Sequence, residues 1–595
     1  QKRMASYGAR AGSEGLGGLG EAVAATRDGA EYFFERTLPN IIQRALALPA
    51  EADRLAKTSG PLCMMRQGKP SKVRIPRDLC ASLLANMFLC VFDTTYDKLP
   101  GKMAMPTPSF SRLFGRRLKR QPQEIAKIQM FLNYFRRLAC KRSLPGEIVI
   151  DRVQAATNSE AAWLESTQPL LPMEMARKHK GFETAPHLAH ADFANMFIGG
   201  GVLSGGCVQE EIRFSICPEL CVSMLLSPCM LADEAIQITG SEQFSAYTGY
   251  AQFLKYDGSH VDGAEQKPDG SLLTAVLAMD AIDLRHSDAS LQAQLKPWLM
   301  VRDLNKALAA FTPVDKESLD NFPVVATGNW GCGAFGGCPP LKALLQWASA
   351  SQCFRRLHYF PYDEVFGPEL KSLAARAAAN NVTVGELLLV LWDLRKQYMC
   401  CLAEGCSEPR SRGSKFCVCC LVDHEGEEPA VADLEPSALL SEVYHRLSLD
   451  SERPRAAKAG DREAMEAARH GAAKQQVPVK LPALVKAKTP VEPTPVVSGK
   501  PTAVEAPVEE SCAKARFVEL DGLEGSERIK DVFKKFDLNK NGVIEKFELT
   551  QLLQELDETT WSNARCGLLL SKMDVDRDGV LSYCEFVDWV FDAGP

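Results

Sequence analysis

The 595-residue sequence contains no apolar run of the roughly 18–20 residues that a membrane-spanning helix requires. Its longest apolar candidates, such as Leu387–Trp392, are short, and no continuous apolar segment follows Gln1. We therefore predict neither a membrane span nor a secretory signal. Hydrophobic residues make up 46% and charged residues 24%, which excludes a chain disordered throughout, a collagen-like fibre and a coiled-coil rod. At about 100–200 residues per domain, the length predicts several domains.

The sequence also has little net charge outside its C-terminal region. The total is −6, and the segment from Arg516 to Pro595 holds 17 acidic and 10 basic residues, a net of −7. The preceding residues therefore sum to about +1. Because no basic bias is present, we expect no direct nucleic-acid binding, and a polyanionic ligand would have to be held by local features.

Composition and periodicity divide the chain into segments. In order, we predict a flexible N-terminus (1–29), a helical region (30–147), an α/β core (148–398), a cysteine-rich segment (399–424), a disordered linker with one short helix at 436–447 (425–515) and a compact C-terminal unit (516–595). Within the core, strands are predicted at Ile148–Ile150, Ala235–Ile238 and Pro323–Ala326, and helices at Leu272–Met279, Pro340–Ser349 and Thr383–Gln397.

The cysteine-rich segment has the spacing of a zinc site. The 20 cysteines without a predicted secretory signal indicate reduced thiols rather than a disulfide framework. Two close pairs, Cys401 with Cys406 and Cys417 with Cys420, are separated by a short polar loop and suit tetrahedral Zn²⁺ of structural role. The alternative is a cysteine-rich surface loop of reduced thiols.

The segment richest in candidate functional residues contains a glycine triplet and two adjacent glutamates. Gly199–Gly201 allow a close backbone approach to a ligand, and their N–H groups can cradle a diphosphate. Gln209, Glu210 and Glu211 follow; on an extended backbone the two carboxylates would point to opposite sides and take different roles. A tight turn or a solvated glutamate pair explains either feature alone. The two features together, with a second glycine pair at 205–206 between them, are harder to explain without a ligand site.

Two further segments indicate a nucleotide-like ligand. Residues 326–337 (ATGNWGCGAFGG) form a glycine-rich stretch between a predicted strand and a predicted helix, which is an anion-binding arrangement. Residues 238–250 (ITGSEQFSAYTGY) supply aromatic rings that can stack on a base, with core packing as an equally weighted alternative.

The order of these three blocks resembles the catalytic domain of poly(ADP-ribose) glycohydrolases of the long eukaryotic type, over roughly residues 30–400. The resemblance implies an α/β fold, with a macrodomain-like three-layer core and an N-terminal helical region. It further implies hydrolysis of ribose–ribose O-glycosidic bonds without a catalytic cofactor. Such hydrolysis passes through an oxocarbenium-like state, and a partly buried glutamic acid can protonate the leaving oxygen.

The resemblance also implies roles for individual residues. Glu211 would be the acid and base, Glu210 would bind ribose hydroxyls, and Asp192 with Asn195 would support that ribose. The remaining substrate-binding residues would be Gln209 in the same site, Tyr250 on the adenine, and Gly199, Gly200, Gly201, Gly333, Ala334 and Phe335 around the diphosphate.

Two positions depart from the family pattern. Cys338, followed by Pro339–Pro340, stands where an acidic residue is usual, and Tyr362 stands where relatives more often carry phenylalanine near the ligand ribose. Neither position is the proposed acid, so we expect activity to be retained.

Near the C-terminus, two twelve-residue loops fit the EF-hand pattern and resemble a calmodulin-type pair in a separate all-α domain. They start 37 residues apart and have oxygen ligands at positions 1, 3 and 5, a backbone carbonyl at position 7 and a closing glutamate at position 12. The predicted calcium ligands are Asp537, Asn539, Asn541, Val543, Glu548, Asp574, Asp576, Asp578, Val580 and Glu585.

The leading hypothesis is therefore an enzyme with an appended calcium-binding module that modulates it. Its main rival is a non-catalytic ADP-ribose-binding reader that couples to partners through the EF-hands, although a reader does not need the Gln–Glu–Glu triplet. A core that only supports the EF-hands predicts a degraded glycine loop, which is not seen. An oxidoreductase predicts a GxGxxG motif that opens a βαβ unit with a downstream acidic residue; the GLGGLG of residues 15–20 has no preceding strand and fits a flexible terminus better. Expected partners are poly(ADP-ribose), ADP-ribosylated proteins and a calcium-dependent protein partner, in the nucleus or cytoplasm and away from membranes.

Overall fold

The computed structural model describes residues 16–26, 29–92, 104–115, 121–140, 143–176, 181–185, 187–285, 289–362, 365–399, 434–447, 543–545 and 580–582. The chain divides into two compact units, Gln1–Ala473 and Lys474–Pro595. Among the cysteines within the described ranges, none forms a disulfide. Among the helices of these ranges, none is both long and apolar enough to cross a bilayer.

The first unit contains most of the described elements. Its strands are β1 (Ser71–Pro76), β2 (Glu147–Gln154), β3 (Met173–Met175), β4 (Ala189–Ala194), β5 (Glu234–Thr239), β6 (Ser245–Thr248), β7 (Lys255–Ser259), β8 (Ala275–Asp280), β9 (Val324–Gly328) and β10 (Arg356–Phe360). Its α-helices are α1 (Gly17–Ala24), α2 (Gly29–Tyr32), α3 (Leu38–Ser59), α4 (Arg77–Phe88), α5 (Ser111–Phe114), α6 (Pro122–Ala139), α7 (Glu160–Leu164), α8 (Gln209–Ile216), α9 (Leu291–Gln294), α10 (Pro297–Phe311), α11 (Lys316–Asn321), α12 (Pro339–Gln352), α13 (Gly367–Ala379), α14 (Val384–Met399) and α15 (Leu439–Arg446).

One mixed sheet of eight strands organises this unit, in the order β1-β2-β5-β8-β4-β9-β10-β3. Strands β8, β4, β9, β10 and β3 run parallel, whereas β1, β2 and β5 are joined to them by antiparallel pairing. The carboxyl ends of β4, β8, β9 and β10 therefore meet at one edge of the sheet, which is where ligands bind in open α/β folds.

The sheet is buried on both faces, and strand β8 shows this most clearly. Val276 and Ala278 join the hydrophobic cluster formed with α3, α4, α6 and α8, whereas Leu277 and Met279 join the cluster formed with α10, α12, α13 and α14. The predicted three-layer α/β core is therefore confirmed. The helix predicted at Leu272–Met279 is wrong, because a strand covered on both faces is apolar throughout and lacks the polar alternation that usually reveals a strand.

The N-terminal region differs from its prediction in two places. Within the segment predicted to be helical, β1 forms an edge strand antiparallel to β2, with Ile75 opposite Ile148. Its outward residues Lys72 and Arg74 are exposed, so the strand shows only a weak apolar alternation. The flexible N-terminus predicted for 1–29 includes α1, in which Ala22 is fully buried.

The predicted short helix near Pro436–Leu447 is confirmed as α15, preceded by a 3-10 turn. The side chains of Leu439, Leu440 and Val443 are buried and belong to the α10–α14 cluster. This part of the predicted linker is therefore packed against the first unit.

In the second unit, the described residues are the middles of the two predicted calcium loops. They form a short antiparallel pair, β11 (Val543–Glu545) with β12 (Val580–Ser582), in which Ile544 lies opposite Leu581. Two predicted ligand positions, Val543 and Val580, thus lie in a shared ladder. The other predicted calcium ligands and Cys401, Cys406, Cys417 and Cys420 lie outside the described residues, so those assignments stay predictions.

Arg77 forms a buried ion-pair network that offers a stability test. Its Nε donates to Glu219 at 2.9 Å and its Nη2 to Glu242 at 2.7 Å, and the Arg77 side chain is 4% exposed. We expect Arg77→Met to lower the free energy of unfolding by about 3–5 kcal/mol, because the buried carboxylate of Glu219 loses its counter-charge and Glu242 keeps only Arg137. Urea denaturation of the full chain measures this change.

The matched control is Arg74→Met, which removes an arginine that is 55% exposed and paired with Glu147. This variant should change the free energy of unfolding by about 1 kcal/mol or less. Equal losses in the two variants would contradict a special role for burial of the Arg77 network.

Candidate active site

The site is built where β4 and β9 separate. These strands pair only through Ala189 and His190 of β4. Further along β4, the side-chain amide of Gln209 takes the place of a strand partner. The N–H of Phe193 donates to Gln209 Oε1 at 2.8 Å, and Gln209 Nε2 donates to the carbonyl oxygen of Ala191 at 3.4 Å. Gln209, predicted to line the substrate site, thus has its amide group bound to strand backbone, and it joins α8 to β4.

The loop between β4 and α8 folds back onto the two glutamates. Both oxygens of Glu210 accept backbone N–H groups, from Asn195 at 2.9 Å and from Gly199 at 2.6 Å. The side chain is buried and 2% of the residue is exposed. Glu210 is therefore fixed in position by the backbone of the loop.

Glu211 is fixed in the same way by other residues of the loop. Gly201 N–H donates to its Oε1 at 2.9 Å, and Val208 N–H donates to its Oε2 at 2.8 Å. Val208 immediately precedes α8, so the second contact also caps the helix. The expectation of an extended backbone here is wrong, because both glutamates lie on the first turn of α8, about 100° apart around its axis.

Gly200 lies between the two carboxylates in a space that admits no side chain. Its φ is +47°, in the left-handed region, and a Cβ atom built there would lie 2.6 Å from Glu210 Oε2 and 2.7 Å from Glu211 Oε1. A glycine at position 200 is thus required locally by the two carboxylates as well as by any ligand.

A cavity of about 370 Å³ adjoins the loop, and Glu211 is the member of the glutamate pair that reaches it. Asn195, another predicted site residue, lies on the same wall, and residues 105–112 of the helical region form the opposite wall. The lining residues are Met105, Pro106, Thr107, Ser109, Arg112, Asn195, Phe197, Gly200, Gly201, Leu203, Ser204 and Glu211. Glu210 and Asp192 do not line this cavity.

Beneath the cavity, buried carboxyl groups share one environment. Burial raises the pKa of Asp192 to about 8; the nearby charge of Arg213 opposes this shift and that of Glu211 adds to it. Burial, with the charges of Asp192 and Glu211, also raises the pKa of Glu210 well above its usual range. Among the residues that the structure describes, none donates a hydrogen bond to the carboxyl oxygens of Asp192. Burial therefore favours the protonated forms of Asp192 and Glu210 near neutral pH.

Two tyrosines lie near the same edge of the sheet. The rings of Tyr250 and Tyr362 are 6.5 Å apart between centroids, and the residues are 45% and 53% exposed. Exposed rings at this spacing offer a platform for an aromatic base. The Tyr362 departure from the family pattern thus lies beside the residue predicted to contact adenine.

The second glycine block follows β9 and leaves the sheet at the same edge as the loop after β4. Gly333 and Ala334 are exposed, and Phe335 packs beneath the guanidinium of Arg285, whose Cζ lies 5.4 Å from the ring centroid. Cys338, the other departure, is buried and donates its N–H to Gln294 at 2.7 Å. The predicted strand–loop–helix arrangement is confirmed, with α12 starting at Pro339.

Sequence reasoning missed two buried cations close to the acids, Lys127 and Arg213. Arg213 follows Glu210 by three positions on α8, and Lys127 lies on the buried face of α6, where its ammonium group contacts the loop. In the sequence, each of these residues could have been noticed as a basic residue at a helix position where the periodicity calls for an apolar one. Without the loop geometry, however, that pattern also fits a solvent-facing lysine or arginine.

Comparisons with known families agree along most of the first unit. Residues 160–365 match the family described as "Poly (ADP-ribose) glycohydrolase (PARG), Macro domain fold", and residues 25–152 match the family described as its helical domain. Residues 526–591 match an EF-hand domain pair.

Individual relatives give the same result. Poly(ADP-ribose) glycohydrolase 1 of Arabidopsis thaliana is 29% identical over 395 residues, which is 55% of this chain and 69% of the relative. The probable calcium-binding protein CML28 of the same plant is 38% identical over 58 residues, which is 10% of this chain and 68% of the relative. A crystal structure of poly(ADP-ribose) glycohydrolase from Deinococcus radiodurans in complex with ADP-ribose aligns at 15% identity and a TM-score of 0.21, covering 38% of this chain and 93% of that one.

Proposed function

The chain belongs to the poly(ADP-ribose) glycohydrolase family, and from this premise we propose that it hydrolyses the ribose–ribose O-glycosidic bonds of poly(ADP-ribose), with Glu211 as acid and base. The observation that carries the proposal is the position of Glu211, whose carboxyl group is held by two backbone N–H groups at the wall of a cavity.

The proposed reaction needs one proton donor close to the scissile bond. Glu211 donates its proton to the leaving ribose oxygen as positive charge develops on the sugar, and its carboxylate then takes a proton from the attacking water. Glu210 binds ribose hydroxyls with the lone pairs that its two N–H donors leave free, since a carboxylate offers about four acceptor sites. Asn195 contacts the same ribose from the cavity wall, and Asp192 supports it from below.

The rest of the ADP-ribose unit would occupy the carboxyl edge of the sheet. Gly199–Gly201 and Gly333–Phe335 wrap the diphosphate, because glycine-rich loops after parallel strands suit anions. The N–H groups of Gly199 and Gly201 already bind Glu210 and Glu211, so the first loop contributes close backbone approach rather than free donors. The exposed ring of Tyr250, with Tyr362 beside it, packs on adenine.

The test of this function is release of ADP-ribose from purified poly(ADP-ribose) by the full chain. Turnover supports the glycohydrolase. Tight binding of the polymer without turnover would contradict it and would favour a reader that recruits partners through the EF-hands.

We further propose that the C-terminal unit binds two Ca²⁺ ions through the predicted ligands of the two loops. Oxygen donors at the EF-hand positions suit this ion, and the pairing of β11 with β12 brings the position-7 residues Val543 and Val580 into one ladder. A structural Zn²⁺ at Cys401, Cys406, Cys417 and Cys420 is proposed from spacing alone. ADP-ribosylated proteins and a calcium-dependent protein are proposed partners, in the nucleus or cytoplasm.

If calcium modulates the enzyme, removing it changes turnover. We expect ADP-ribose release by the full chain to differ by about 5-fold or more between saturating Ca²⁺ and a chelator, the lower end of typical allosteric coupling. The control is the double variant Glu548→Gln, Glu585→Gln, which removes both bidentate ligands and should respond to neither condition. Equal turnover of the unaltered chain in both conditions would exclude calcium modulation.

A further inference from the structure

The ammonium group of Lys127 is enclosed within the first unit and is surrounded by carbonyl groups of the glycine loop. The residue lies on α6 and has no solvent exposure. Its Nζ donates to the carbonyl oxygens of Gly201 at 3.3 Å, Val202 at 3.0 Å, Ser204 at 2.8 Å and also Gly206. An ammonium group has three N–H donors, so four carbonyls share them and the loop is bound at several points along its length.

The same loop supplies the two N–H groups that hold Glu211. At Gly201, the carbonyl oxygen accepts a hydrogen bond from Lys127 and the N–H donates to Glu211. The second N–H that holds Glu211 comes from Val208, two residues after Gly206. We propose that Lys127 is a positioning residue, which rests on the proposed function of Glu211: it holds the loop in the conformation that orients the carboxyl group toward the cavity.

No apolar residue can replace Lys127 in this arrangement without loss. The four carbonyls converge on a buried point, and buried carbonyls without a donor are costly. Arginine keeps a charge and several donors but has a planar, bulkier head, so it satisfies part of the set. A methionine fills a similar volume and removes the ammonium donor from the carbonyls of Val202, Ser204 and Gly206, whereas Gly201 O keeps the N–H groups of Ser204 and Gly206.

The protonation state of Lys127 gives the proposal a second readout. Burial lowers the pKa of Lys127 to about 8. The largest opposing effect is the charge of Glu211 on α8. Smaller ones come from the other titratable groups that face the ammonium: Cys207 in the loop, Glu124 on α6 and Cys221 after α8. The charged form holds the loop, so the contact is present below pH 8 and is lost as the pH rises through that value. The free-enzyme quantity kcat/KM should therefore fall on the alkaline side.

Lys306 provides a matched control because it is another buried lysine with the same kind of contacts elsewhere. It has no solvent exposure, its Nζ donates to Glu234 O at 2.7 Å and to Leu231 O, and burial lowers its pKa to about 8. It pairs with Asp280 rather than contacting the glycine loop. Lys306→Met therefore reproduces the loss of a buried ammonium away from Glu211.

The experiment compares steady-state release of ADP-ribose by the full chain and its variants, corrected for the folded fraction. We expect Lys127→Met to lower kcat by about 100-fold, the size of effect that a displacement of about 1 Å can produce. Lys306→Met should stay within about 3-fold of the unaltered chain. Lys127→Arg should recover part of kcat and lose the step of the alkaline fall of kcat/KM near pH 8, because arginine stays charged. Asp192→Asn, which removes another group with a pKa of about 8, should keep that fall.

Three results would overturn the proposal: a kcat of Lys127→Met within about 3-fold of the unaltered chain, an equal loss in Lys306→Met, or a step of kcat/KM near pH 8 that persists in Lys127→Arg. If the unaltered chain shows no turnover, the proposed function fails, and ADP-ribose affinity then decides. A loop that Lys127 positions should bind ADP-ribose about 10-fold more weakly in Lys127→Met and equally well in Lys306→Met. Equal affinities in all three proteins would overturn the inference.

Discussion

Replacing Glu211 with glutamine is expected to lower kcat for ADP-ribose release by about 10²–10⁴-fold, the contribution of a positioned general acid and base. Glutamine has nearly the same shape but cannot donate the required proton. It also changes the ground state, because Gly201 and Val208 both direct N–H groups at this carboxylate and one of them would then face an amide N–H. Some loss of stability at the start of α8 should therefore accompany the loss of turnover.

The variant must be shown to fold and bind before its turnover is interpreted. Titration calorimetry should give an ADP-ribose affinity within about 10-fold of the unaltered chain, because the diphosphate and base contacts lie elsewhere. Glu317→Gln is a suitable control, since Glu317 is 66% exposed and pairs only with Lys267 at the surface. Turnover by Glu211→Gln close to that of the control would exclude Glu211 as the acid.

Adding one methyl group at Gly200 is expected to be almost as damaging. A Cβ atom there would meet Glu210 and Glu211 at 2.6 and 2.7 Å, distances that real Cβ atoms essentially never show. Neither carboxylate can retreat freely, because backbone N–H groups hold the oxygens of both. Gly200→Ala should therefore displace the acid and lower kcat by about 100-fold or more.

Backbone strain must be separated from this steric effect, since Gly200 has a positive φ. Gly258 has a φ of +91° and no atom within 4 Å of an added Cβ, so Gly258→Ala carries the conformational cost alone. It should lower the free energy of unfolding by about 1–2 kcal/mol and leave kcat unchanged. A similar loss of kcat in both alanine variants would contradict the steric explanation.

Local sequence patterns predicted the parts of the fold and site that are themselves local. Strands near Ile148–Ile150, Ala235–Ile238 and Pro323–Ala326 and the helices α12 and α14 are confirmed, because each has the apolar period of its element. Strand β8 was missed because its two faces are covered by different layers. Strand β1 was missed because its outer face is charged and its only neighbour, β2, lies about 75 residues away in the sequence.

The site shows the same division. The glycine triplet and the two glutamates are adjacent in the sequence and could be singled out there, and their roles stay predictions. Which glutamate reaches the cavity depends on how residues 195–208 fold back onto α8. That path also depends on a contact with a residue far away in the sequence, Lys127, 74 residues before Gly201.

The two family domains of the first unit share one sheet, and this limits how the protein can be divided. The match to the helical domain ends at residue 152, inside β2, yet β1 and β2 are the outer strands beside β5. A fragment starting at residue 160 would leave the backbone of β5 open along one side, a template for intermolecular pairing and aggregation. It would also lack the wall formed by residues 105–112. The helical and macrodomain parts should therefore be expressed and purified as one piece, and the smallest useful fragment is set by the hydrogen bonds of the sheet rather than by the boundary between the two matches.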